Sequence, residues 1–256
     1  MNSESSSPVE IFRSEFSGKT ACVTGGSSGI GREIVRTLAG LGATVHFCGR
    51  HEDAGRATVE ACAGGRAYFS RVDVTDPAAL QQWIRTVDPL DYLINNVADD
   101  HRVPFDELDA AVFDAAVAVN LRSHYLAALA ALPALRRGVG KAIVNVGTSN
   151  YMRPEPDCLL YNVAKSGIVG LTHALARQLG PERIRVNTFT PGWIATPKQL
   201  AHHMTPEAQT VLKQEQALPV ILKESDVMGP LLFLLSRCAG AVTGQNLLAE
   251  AGKVML

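Results

Sequence analysis

The chain has 256 residues, 46% of them hydrophobic, and a formal charge of −1 at pH 7. A chain of this size and apolar content can bury one large α/β core, so one domain is expected. Near-neutrality excludes a general electrostatic attraction to nucleic acid or anionic lipid. No apolar run reaches the ~18 residues that span a bilayer, so no membrane partner is expected.

Residues 1–16 are rich in Ser and Glu and have neither a basic start nor a long apolar stretch. They read as a mobile tail rather than a secretory signal, which leaves the cytoplasm as the expected location. A strand over 20–23 runs into Thr24-Gly25-Gly26-Ser27-Ser28-Gly29-Ile30-Gly31 and then a helical pattern. In such a strand–turn–helix, Gly25 allows the tight turn and Gly29 lets backbone approach a pyrophosphate. Gly31 permits close packing of helix on sheet, with the helix amino terminus facing the anion. A second strand over 44–47 leads into Gly49 and Arg50. An acidic residue at that end would accept the ribose hydroxyls of NAD. Gly49 cannot, and the Arg50 guanidinium suits a 2′-phosphate. NADP is therefore favoured over NAD, although Glu52 and Asp53 lie close by.

Further strands are expected over 67–72, 92–94, 142–146, 185–190 and 245–248, with helical stretches between them. This alternation predicts a doubly wound parallel sheet covered on both faces. The stretches 105–136 and 159–179 carry more apolar residues than one sheet-facing stripe needs, which suggests helix-to-helix subunit contacts. Of the five tyrosines only Tyr161 has a lysine, Lys165, four positions on. That spacing puts phenol and ammonium on one helix face. A nearby fixed cation favours the phenolate and brings a group that titrates near ~10 toward the range of a general base. Residues 193–220 lack a clear strand and lie beyond a strand's carboxyl end, so they read as a substrate lid. In that stretch His202 and His203 are adjacent, which points them apart, and no third residue has metal spacing. The five cysteines are scattered without CxxC spacing and suggest neither a disulfide framework nor a zinc site.

With TGGSSGIG at the first turn, the Tyr161/Lys165 pair, Asp73 in RVDV, Asn95 and Asn96, Asn120 in VNLRS, and Pro191-Gly192, residues 17–252 resemble the short-chain dehydrogenase/reductase family. The resemblance implies a single-domain Rossmann-type fold over 17–256, a small-molecule substrate, a homotetramer, and NADP as cofactor with NAD possible. It implies cofactor contacts at Gly25, Ser27, Ser28, Gly29, Ile30, Gly31, Arg50, Asp73, Val74, Asn96, Tyr161, Lys165, Pro191, Gly192, Ile194 and Thr196. Tyr161 would remove the alcohol proton as hydride leaves for the nicotinamide, Lys165 would hold the ribose and lower the phenol pKa, and Asn120 would anchor a relay water. The family's serine falls on Thr148, whose added methyl crowds the pocket; Ser149 is its rival. The NNVA segment departs from the family's NNAG, and Val97 and Ala98 stiffen the backbone beside the adenine site. NNVADDHR and PGWIATPKQL resemble members that oxidise aldoses at the anomeric carbon, which implies sugar contacts at Asp99, Asp100 and Asn150 and stacking on Trp193. A general keto reductase of small or lipid-like carbonyls, and a catalytically impaired NADP-binding interaction protein, are the alternatives.

Overall fold

Short apolar runs rich in branched side chains form seven parallel strands in the computed structural model, which describes residues 8–255 apart from 63 and 65. They are β1 (Thr20–Thr24), β2 (Thr44–Gly49), β3 (Ala67–Arg71), β4 (Tyr92–Asn95), β5 (Ala142–Val146), β6 (Arg185–Pro191) and β7 (Asn246–Ala249). The sheet order is β3-β2-β1-β4-β5-β6-β7, with Thr24 aligned to Cys48 on one side and Asn95 on the other. Every residue of β4 and β5 is buried, as expected where both faces of a parallel sheet are covered.

The helices are α1 (Pro8–Phe16), α2 (Gly29–Gly40), α3 (Glu52–Glu60), α4 (Pro77–Arg85), α5 (Ala110–Val117), α6 (Ser123–Arg137), α7 (Leu159–Leu179), α8 (Pro197–His202), α9 (Pro206–Glu215) and α10 (Met228–Leu235). On one face Ile34, Val35 and Leu38 of α2 join Leu231 and Leu235 of α10 and Phe16 of α1 in a core cluster. On the other face Leu80 and Ile84 of α4 pack with Ala127 and Leu135 of α6 and Leu179 of α7. The chain therefore leaves β1 for one face and β4 for the other. The crevice between those two strand ends is where ligands bind in open α/β sheets.

The stretch 1–16 differs from its expected mobile tail over the described part, 8–16, while residues 1–7 lie outside the described residues. Phe16 is fully buried with its ring centroid 5.4 Å from that of Tyr92. Glu15 accepts from the Arg237 amide at 2.9 Å and lies 3.0 Å from its guanidinium. An aromatic anchor followed by Ser17 and Gly18 was a docking signal that composition alone hid. The helical stretch expected over 105–136 is a short 3₁₀ turn followed by α5 and α6, joined through a π-helical turn over Ala118–Arg122 that carries Asn120. The rod Ala110–Arg137 is long and apolar enough to cross a membrane by length and composition, although no single run is. In the fold its alanine-rich face is buried against the sheet layer.

Asp91 locks the opposite end of the central strands, at their amino termini. Its Oδ2 accepts from Thr20 N at 2.9 Å, and its Oδ1 accepts from Val139 N at 2.7 Å and Gly140 N at 2.8 Å. Asp91→Ala would strand these amides in a largely buried position and is expected to lower unfolding stability by about 3 kcal/mol. Urea unfolding measures this, and a loss below about 1 kcal/mol would show that water satisfies the amides equally well.

Candidate active site

At the first turn Gly25 has φ +70°, a conformation that costs a side-chain-bearing residue strain. A Cβ on Gly31 would collide with the Gly25 carbonyl and the Asn96 amide. Asn96 staples the turn to β4: its Nδ2 donates to Thr24 O at 3.1 Å and Gly25 O at 3.0 Å, and its backbone N donates to Thr24 Oγ1 at 3.0 Å. Ser28 caps α2 in an extended conformation with no side-chain cap bond. The first amides of α2 thus stay available for an anion, reinforced by the helix dipole.

This turn opens into a cleft of about 540 Å³. All the expected cofactor residues line it except Gly29, and so do Thr148, Ser149, Asp99, Asp100, Asn150 and Trp193. Such a cradle, with no side chain filling it, fits a dinucleotide. At one end stand Ser27, Gly49, Arg50, His51, Asp73 and Val74. A Cβ on Gly49 would lie 2.6 Å from Ser27 Oγ, so an acidic residue there would displace the serine. The Asp73 carboxylate accepts from Thr75 N at 2.9 Å and Thr75 Oγ1 at 2.7 Å. Those bonds hold it below the usual carboxylate range.

At the centre of the cleft, α7 presents Tyr161 and Lys165. The Thr148 hydroxyl lines the cleft with Tyr161 and pulls the phenol's pKa down, and its neighbour Ser149 lines the cleft as well. Lys165 is fully buried, and its Nζ donates to Val146 O at 2.7 Å, 5.9 Å from the Tyr161 ring centroid. Burial lowers the Lys165 ammonium to about 7. The expected lowering of Tyr161 is reversed in the folded chain. Burial pushes the phenol up, against the downward pull of Thr148, because the ammonium is turned to the Val146 carbonyl. Spacing places the pair on one face but does not choose the ammonium's partner. Asn120 lies outside the cleft lining, in a side pocket that also touches Tyr161. Its amide is committed: Oδ1 accepts from Asp99 N and Nδ2 donates to Asp99 O, both at 2.9 Å, and Nδ2 also donates to Ala116 O at 3.1 Å.

The far end of the cleft is polar. Asp100, expected to meet substrate hydroxyls, is occupied on both oxygens: Oδ1 by Lys198 Nζ at 2.5 Å and Oδ2 by Gln199 Nε2 at 2.9 Å. Burial raises its pKa, but Lys198 and Gln199 outweigh that and hold it below the carboxylate range. Trp193 Nε1 donates to Gln199 Oε1 at 2.7 Å, so Trp193 and Asp100 meet through a residue the sequence reading missed. The signal was present, since Thr196-Pro197 marks a helix start that puts Lys198 and Gln199 in its first turn. Asn150 Oδ1 accepts from Glu155 N at 3.3 Å. Arg102, Arg153 and Lys253 also line the cleft, each within an ion pair, to Glu155 at 3.6 Å and to Glu215 at 3.5 and 2.9 Å. The segment 193–220 folds as α8 and α9, with α8 beside the cleft.

A dinucleotide cradle beside a half-buried tyrosine and threonine and a buried lysine defines a nicotinamide-dependent oxidoreductase. Comparison with known proteins agrees. The profile of a family described as enoyl-(acyl carrier protein) reductase matches residues 25–253. The chain is 33% identical over 237 residues to a "probable galactose dehydrogenase" of Rhizobium meliloti, covering 90% of this chain and 93% of that one. It is 32% identical to D-xylose 1-dehydrogenase of Caulobacter vibrioides, covering 92% and 95%. It is likewise 32% identical to carbonyl reductase [NADPH] 2 of Sus scrofa, covering 93% and 97%. A solved short-chain dehydrogenase/reductase from Serratia marcescens superposes with a TM-score of 0.85 at 34% identity, covering 93% and 99%. The chain belongs to the short-chain dehydrogenase/reductase family.

The buried ammonium makes stability depend on pH. Between about pH 7 and the ordinary lysine value of 10.5, the unfolded chain binds a proton at Lys165 that the folded chain has released. The Lys165 contribution is therefore least favourable below pH 7, and stability rises across that window by on the order of 4 kcal/mol. The stability of the parent relative to Lys165→Met is expected to climb by this amount between pH 7 and pH 10.5. Urea unfolding at several pH values measures the difference, and a constant gap would contradict a depressed ammonium.

Proposed function

We propose that the chain is an NADP-preferring aldose dehydrogenase that oxidises the anomeric hydroxyl of a neutral sugar. The observation that carries this reading is that Thr148, Tyr161 and Lys165 line one cleft between an anion-ready turn at one end and polar side chains at the other. A bound nicotinamide supplies the hydride acceptor. Tyr161 Oη takes the proton of the anomeric hydroxyl, and the Thr148 hydroxyl donates to the same substrate oxygen and orients it. Tyr161 must therefore be the phenolate before the transfer and is left a neutral phenol by it; the Lys165 ammonium, 5.9 Å from the ring centroid, favours that phenolate. Asn120 contributes by clamping the backbone that carries Asp99 and Asp100. Asp99, Asn150 and Trp193 suit a ring bearing several hydroxyls, and relatives named for galactose and xylose support an aldose.

Arg50 beside Ser27, with no acid at Gly49, supports NADP, as does the porcine relative named for NADPH. A homotetramer is supported by Phe113, Tyr125, Leu129, Leu159 and Val163, large apolar side chains left exposed on α5, α6 and α7. All five cysteines are unbridged, which suits the reducing cytoplasm.

Reduction of NADP and NAD by purified protein, across a panel of aldoses and simple secondary alcohols, tests the reading. Tyr161→Phe is expected to lower kcat by about 10³-fold or more with NADPH binding retained. Arg50→Asp is expected to raise KM for NADP about tenfold or more by removing the charge partner and adding a like charge. Turnover that survives Tyr161→Phe, or a preference for NAD in the parent, would contradict the respective parts. Light scattering at micromolar concentration showing a monomer would contradict the tetramer.

A further inference from the structure

The cleft wall formed by α8 poses a physical problem. This helix has six residues and buries none of them. A helix that short has little intrinsic stability, so something other than core packing must hold it against the cleft. Its Thr196 cap and the Ala195 N to Leu222 O bond at 2.8 Å fix where the segment enters the helix. The contacts toward the cleft are polar and converge on one carboxylate: Lys198 Nζ and Gln199 Nε2 take the two oxygens of Asp100. Gln199 then holds the Trp193 indole through its own Oε1. Asp99, whose side chain is 46% exposed, lies 3.9 Å from Lys198 Nζ. Its backbone is clamped by Asn120, while its carboxylate faces the cleft without such a pair of partners.

We infer that Lys198 and Gln199 are positioning residues that latch α8 onto Asp100 and so set the Trp193 ring for the sugar, leaving Asp99 rather than Asp100 as the carboxylate that takes sugar hydroxyls. This rests on the aldose reading for its substrate, while the latch itself does not. Asp100 is a structural acceptor. Losing either Lys198 or Gln199 frees the same helix, so the two losses do not add.

The test uses two readouts on the full chain. Trp193 and Trp83 are its only tryptophans, and Trp83 is buried, so iodide quenching of fluorescence follows Trp193 and needs no turnover. Gln199→Leu and Asp100→Asn are each expected to raise the quenching constant about twofold and the KM for the preferred aldose about tenfold, with the change falling on KM rather than kcat. Lys198→Met should act alike and Lys198→Arg should restore both readouts. Lys198→Met/Gln199→Leu should be no worse than the single variants. Asp99→Asn should raise KM and leave quenching unchanged. Quenching that stays at the parent value in Gln199→Leu and Asp100→Asn would overturn the latch. A change of quenching with Asp99→Asn, or no change of KM with it, would overturn the division between the two acids. A protein with altered quenching in these variants but no aldose turnover in the parent would retain the latch while the aldose reading fails.

Discussion

β1 and β4 lie side by side and leave the sheet for opposite faces, and every feature of the site depends on the crevice that results. Such a crevice would gape unless its rims were tied. Asn96 ties them, reaching from the end of β4 to the carbonyl of the last residue of β1, Thr24, and that of the first turn residue, Gly25. The same amide lies where a Cβ on Gly31 would fall, so the staple and the glycine are parts of one packing solution. Because the turn amides point into this gap, the pyrophosphate end of a dinucleotide has a place before any charged side chain is considered.

The chemistry at the other end depends on how α7 is held. Below the cleft floor, Asn95 Nδ2 donates to Asn145 Oδ1 at 2.9 Å, Asn145 Nδ2 donates to Thr172 Oγ1 at 2.9 Å, and Thr188 Oγ1 donates to Thr172 Oγ1 at 2.8 Å. This buried chain links β4, β5 and β6 to α7. Inside the low-dielectric core such bonds are strong and costly to leave unmade, so α7 has one register against the sheet. With that register fixed, Lys165 meets the Val146 carbonyl, and Tyr161 faces the cleft that Thr148 also lines. His124, buried nearby, has its pKa driven well below the usual histidine value, first by burial and then by the Lys165 charge. Two buried basic groups, Lys165 of α7 and His124 of α6, thus lie close enough to affect one another.

The seven strands were legible because a parallel sheet buried on both faces writes itself as short apolar runs, and the glycine turn because close backbone approach leaves few residue choices. Tyr161, Lys165 and Thr148 were legible from spacing and resemblance. What stayed hidden was set by contacts between distant residues. Asp100 and Lys198 are 98 positions apart, and although Thr196-Pro197 marks the start of α8, no local pattern announces that Lys198 and Gln199 will each take one oxygen of that loop acid. Phe16 read as part of a polar tail because its burial comes from Tyr92 across the fold. The direction of the Tyr161 shift was misjudged for a related reason. Sequence spacing gives the distance between two side chains on a helix but not the depth at which the helix lies, and depth governs desolvation.

Deuterium placed at C1 of D-galactose and D-xylose tests most directly the claim that the cleft passes hydride from an anomeric carbon to a nicotinamide. The account predicts that the deuterium appears on the reduced NADP recovered after incubation with the protein. Deuterium that stays on the sugar, while the same preparation binds NADPH, would contradict it.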